Sequence, residues 1–110
     1  MKIKTLVSVT LSVTGLALGS LAQAQGTGGP EALYVKSLAA TCANCHGTNG
    51  KVVEGSRVTS LAGLDKTYLV EQLKAFKTGT RPATVMHQIS KGYNDAQVES
   101  LATYFAAQKK

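Results

Sequence analysis

Apolar positions recur at helical spacing in three separate stretches of the chain. Val98, Leu101, Ala102 and Phe105 fall at i, i+3, i+4 and i+7, which predicts an amphipathic C-terminal helix. Asn94 is placed to cap it, with Gln97 as the capping-box partner, and Lys109 and Lys110 follow at its end. Leu69, Leu73 and Phe76 form the apolar stripe of an earlier helix. Asp65 stands as its N-cap, Lys74 and Lys77 lie in its last turn, and Gly79 stops it after about Lys77. Tyr34, Leu38 and Cys42 are spaced four apart, on one face of a helix from about Pro30 to Thr41. Proline at the first helical position and Glu31 in the first turn suit that start.

Between these stretches the pattern breaks. Residues 47–60 (GTNGKVVEGSRVTS) are rich in Gly, Asn, Ser and Thr and read as an irregular loop, with Gly50 and Gly55 serving its turns. Leu61 to Leu64 form a short apolar turn. Thr80-Arg81-Pro82 is a break, followed by a short helix from about Ala83 to Lys91 that Gly92 ends. No segment alternates as a strand. The expected fold class is all-α, with narrow apolar stripes that need something else to fill the middle.

The N-terminus changes the picture. Lys2 and Lys4 precede a diluted apolar run from Leu6 to Leu21, and Ala22-Gln23-Ala24 fits a small-x-small cleavage site. Residues 1–24 therefore read as a cleaved signal peptide, 25–29 as a flexible leader and 30–110 as one small domain. The apolar run is too short and too mixed for a span, so no stable membrane anchor is expected. Twelve Lys and Arg against six Asp and Glu give +6. Losing Lys2 and Lys4 with the leader leaves +4. A modestly basic exported domain favours acidic partners. With no basic run and few aromatics, it does not suggest nucleic acid.

The chemistry concentrates in one turn. Both cysteines of the chain lie in TCANCHG, Thr41 to Gly47. C-x-x-C-H is the pattern of covalent haem attachment. Two thiols on one turn can add to two vinyl groups of one porphyrin, and His46 then stands over the iron. The alternatives are weaker. A redox dithiol wants a strand-helix-strand context. Zinc would need all of Cys42, Cys45, His46 and His87 at an unusual spacing. A disulfide across Cys42 and Cys45 would be strained and leaves His46 unexplained. Met86, the only methionine after the leader, and its neighbour His87 are the candidates for the second axial position. Met86 is favoured and would raise the reduction potential; His87 would lower it; an open position ranks last.

From Pro30 onward the chain resembles the small class I c-type cytochromes of the bacterial periplasm. The resemblance rests on CANCHGTNG at 42–50, SLAGL at 60–64, YLVEQLKAFKTGTRP at 68–82 and MHQISKGYNDAQVESLATYFAAQ at 86–108. It implies a cytochrome c-like fold of short helices wrapped around one covalently bound haem c, with the N- and C-terminal helices crossing. It implies Cys42 and Cys45 as thioether sites, His46 and Met86 as iron ligands, and single-electron transfer between redox partners. The stretch around Met86 also resembles the cytochrome subunit of flavocytochrome c sulfide dehydrogenase, which implies a possible flavoprotein partner. Relatives usually carry proline just before S/N-L-A-G, near the carbonyl that orients the proximal histidine. Here that residue is Thr59, which keeps the carbonyl but frees the backbone.

Other residues carry weaker expectations. Arg81 either reaches a haem propionate or stands as a solvated loop arginine. Tyr93 and Tyr104 either line the haem edge or pack the domain, with packing favoured. Lys74, Lys77 and Arg81 either meet an acidic partner or form a solvated helix end. Three functions follow: a periplasmic electron carrier, the haem subunit of a multi-chain redox enzyme, and a haem enzyme or gas sensor with an open iron site.

Overall fold

The computed structural model describes residues 28–110. The expected signal peptide and the first part of the leader lie outside the described residues. Five α-helices follow in order, and no strand occurs among the described residues. They are α1 (Pro30–Ala40), α2 (Ala43–His46), α3 (Lys66–Thr78), α4 (Met86–Lys91) and α5 (Asp95–Ala106), with a 3-10 turn at Thr48–Gly50.

The helix ends follow the local chemistry. Asp65 caps α3 by accepting from the Tyr68 backbone N–H at 2.9 Å. Gly79 ends α3 in the left-handed conformation. Asn94 and Gln97 close both halves of the capping box on α5, at 2.8 and 3.0 Å. Pro30 opens α1 as its first helical residue.

The core gathers around α5. Val98, Leu101, Ala102 and Phe105 are all buried, as their spacing predicts. Ala39 of α1 and Leu69 and Val70 of α3 pack into the same cluster. Each fully buried Val, Leu or Phe side chain contributes about 1.5–3 kcal/mol. Side-chain ties hold the helices in register. Tyr34 Oη accepts from Gln97 Nε2 at 2.8 Å, joining α1 to α5. Lys66 meets Glu99 at 3.2 Å, an exposed pair that contributes little.

Three expectations are corrected. The short helix starts at Met86, because residues 82–85 run irregularly along a cavity wall instead of coiling. Tyr34 stays at the rim of α1 at 46 % exposure, while Leu38 and Cys42 pack on the core. Leu73 and Phe76 are only half-buried because they face the cavity, whereas Val70, outside the expected stripe, is buried.

Candidate haem-binding site

The helices enclose a cavity of about 430 Å³. That lies within the ~300–1,000 Å³ typical of small-molecule sites. Leu69, Leu73 and Phe76 of α3 and Leu101, Ala102 and Phe105 of α5 supply apolar wall. Leu61 and Leu64 add to it from the turn before α3. A shallower groove of about 650 Å³ between α1 and α5 carries no thiol or imidazole.

Cys42, Cys45 and His46 come off one turn. The backbone N–H groups of Cys45 and His46 both donate to the Cys42 carbonyl, at 3.2 and 2.9 Å. All three side chains line the cavity. Both cysteines are free thiols, Cys42 half-buried and Cys45 exposed. Burial pushes the Cys42 thiol above its ordinary value, against a smaller lowering by the Thr41 hydroxyl.

His46 is oriented from the loop. Its Nδ1 donates to the carbonyl oxygen of Thr59 at 2.6 Å. A carbonyl can only accept, so the proton sits on Nδ1 and Nε2 keeps a free lone pair. The carbonyl expected from the resemblance is therefore in place despite the threonine.

Met86, the first residue of α4, also lines the cavity, whereas His87 does not. The Nδ1 of His87 is buried without a partner. Among the described residues no group of three or more His, Cys, Asp or Glu side chains is arranged to hold a metal ion. A zinc cage built on all four Cys and His side chains is therefore not assembled.

Tyr93 packs against the core, as expected, and also takes part in the site. Its ring lines the cavity, and its hydroxyl lies 2.8 Å from Thr41 Oγ1. Thr41 Oγ1 donates to the Leu38 carbonyl at 2.7 Å, so Tyr93 is the donor between the two hydroxyls. Tyr104 lies away from this cavity and donates to Asn49 at 2.7 Å. Lys77 is occupied inside the molecule, donating to the Tyr93 carbonyl at 2.7 Å with Asp95 at 3.8 Å. Arg57, Tyr68, Gln72 and Val85 also line the cavity, and the sequence reading gave none of them a role.

The donor set fits a flat apolar macrocycle with a central metal: two thiols on one turn, an imidazole with its outer nitrogen free, a thioether and apolar walls. Such a fold and site define a covalent haem protein. The cytochrome c family model matches residues 32–109, and the chain belongs to that family. The cofactor is accordingly a covalently bound haem c with its iron.

The chain is 41% identical over 71 residues to the thiosulfate dehydrogenase electron acceptor of Thiomonas intermedia, covering 64% of this chain and 33% of that one. It is 38% identical over 68 residues to the cytochrome subunit of sulfide dehydrogenase of Chlorobaculum tepidum, covering 62% and 60%. It is 32% identical over 72 residues to cytochrome c-554(548) of Halomonas halodenitrificans, covering 63% and 86%. The chain thus spans from a third to three fifths of the length of the first two relatives, and most of the third.

Proposed function

We propose that this protein is a periplasmic monohaem cytochrome that carries single electrons between redox proteins. The haem supplies one iron that passes between its ferric and ferrous states. Cys42 and Cys45 hold the porphyrin as thioethers. His46 offers Nε2 to the iron, because Nδ1 is committed to Thr59. Met86 offers its sulfur from α4. Apolar side chains of α3 and α5 keep water from the metal. Held by His46 and Met86 together, the iron would offer no position to a substrate, which suits a carrier. The observation that carries this reading is that Cys42, Cys45, His46 and Met86 line one cavity from which His87 is absent.

Residues 1–24 are the export signal on this reading, and the mature chain begins at Gln25. No helix among the described residues is long and apolar enough to cross a membrane. The mature charge of +4 suits partners with acidic docking surfaces, so electron exchange should slow as salt rises.

The visible and near-infrared spectrum of the purified holoprotein tests the core of the proposal. Haem that resists acid extraction and a methionine–iron charge-transfer band in the oxidised form are expected. Rapid, complete binding of carbon monoxide by the reduced protein at neutral pH would overturn it in favour of an open site.

The identity with the sulfide dehydrogenase cytochrome subunit favours a second reading, the haem subunit of a multi-chain oxidoreductase with a flavoprotein partner. A stable complex on sizing would select it; a monomer that exchanges electrons freely selects the carrier.

A further inference from the structure

The two candidate iron ligands come from segments far apart in the chain, His46 from the attachment turn and Met86 from α4. Among the described residues, one hydrogen bond joins residues 41–47 to residues 82–93. It runs from Tyr93 Oη to Thr41 Oγ1 at 2.8 Å, across a sequence separation of 52. Both residues line the cavity. Each end is anchored in its own segment. Thr41 closes the end of α1: its backbone N–H and its hydroxyl both donate to the Leu38 carbonyl, at 3.2 and 2.7 Å. Cys42 follows directly. Tyr93 extends the last turn of α4, its backbone N–H donating to the Ser90 carbonyl at 3.3 Å. Its own carbonyl accepts from Lys77 Nζ of α3 at 2.7 Å. A phenylalanine would pack the half-buried ring equally well, so the distinct contribution of the hydroxyl is this bond.

We propose that the Tyr93–Thr41 hydrogen bond is a clasp that holds α4 to the attachment turn. On the reading above that Met86 is the second axial ligand, Tyr93 is thereby a positioning residue for it. Met86 competes for the iron as an intramolecular ligand, at an effective concentration set by how closely α4 is held over the metal. Without the clasp, α4 is tied to the turn only through its packing and the intervening chain. That concentration then falls, and a foreign ligand competes better.

The test titrates ferric holoprotein with imidazole and follows the loss of the methionine–iron charge-transfer band. Tyr93→Phe and Thr41→Val should each bind imidazole about two- to tenfold more tightly than wild type, the worth of one net hydrogen bond. The double variant should bind no more tightly than the tighter single variant, since both changes remove the same bond. Thr41→Ser keeps the hydroxyl and should match wild type. Tyr34→Phe is the structural control: it loses the bond between α1 and α5 at Gln97, so it should lower the urea midpoint and leave imidazole affinity unchanged. A wild type without the band would refute Met86 as the ligand, and the role of the clasp with it. With the band present, wild-type affinity in both Tyr93→Phe and Thr41→Val would overturn the clasp alone. So would gains that multiply in the double variant, or an equal gain in Tyr34→Phe. If Tyr93→Phe yields no holoprotein, Thr41→Val against Thr41→Ser decides: a gain in the first only supports the clasp, and equal affinities reject it.

Discussion

The Nδ1 of His46 lies 2.6 Å from the carbonyl oxygen of Thr59, a contact across a sequence separation of 13. A backbone carbonyl sets the tautomer of a histidine without any particular side chain at that position. The threonine side chain is therefore dispensable for it, and the Thr59 backbone N–H donates to nothing among the described hydrogen bonds. Thr59→Pro keeps the carbonyl and restricts the unfolded chain. It should stabilise the holoprotein by about 0.4–1 kcal/mol in denaturant unfolding and leave the visible spectrum unchanged. A fall in stability would show that the backbone at 59 does not accommodate proline.

Met86 and His87 separate cleanly. Only Met86 lines the cavity, while the His87 imidazole is half-buried with an unpartnered Nδ1. Met86→Ala should lose the methionine–iron band and lower the reduction potential, since methionine ligation raises it. His87→Ala should keep the band. The reverse pattern would assign the second axial position to His87.

The helix termini and the C-terminal core were legible because their causes are local. Asp65, Gly79 and the Asn94–Gln97 box act within a few residues of themselves. The start of α4 was not, because residues 82–85 answer to the cavity they border and not to their own propensity. Leu73 and Phe76 carry a correct helical period, but the surface they meet is not protein, which is why they remain half-exposed. The attachment turn could be read from spacing alone. Thr59 came into view through the family resemblance, and Arg57 and Gln72 were assigned no role, since contacts made across loops leave no period in the sequence.

Gly50 illustrates a constraint that composition hides. It has a φ of 77°, and a Cβ there would meet Phe105 Cδ1 at 2.7 Å and Leu61 Cβ at 2.9 Å. Its carbonyl also accepts from Leu61, Ala62 and Ser60. Gly55 has a similar φ of 81° but open space around it. Gly55→Ala should cost about 1–2 kcal/mol, the left-handed strain alone. Gly50→Ala adds overpacking against the core and should cost about 2–4 kcal/mol. Equal losses in urea titrations of the two holoproteins would mean that Phe105 and Leu61 yield freely.

The cavity makes the fold depend on its cofactor. Cys42→Ala/Cys45→Ala cannot form thioethers, so it should leave about 430 Å³ without a covalently held ligand. At roughly 24 cal/mol per Å³, a dry void of that size would cost on the order of 10 kcal/mol, within the ~5–15 kcal/mol that holds a typical domain together. Water entering at the mouth relieves part of this cost. It leaves the half-buried Leu73 and Phe76 wet, so their burial contribution is lost instead. The double variant should therefore show no cooperative thermal transition and should bind ANS through its exposed apolar walls. A sharp transition near that of the holoprotein would mean that the helices close over the space on their own, and that the haem rides in this fold without building it.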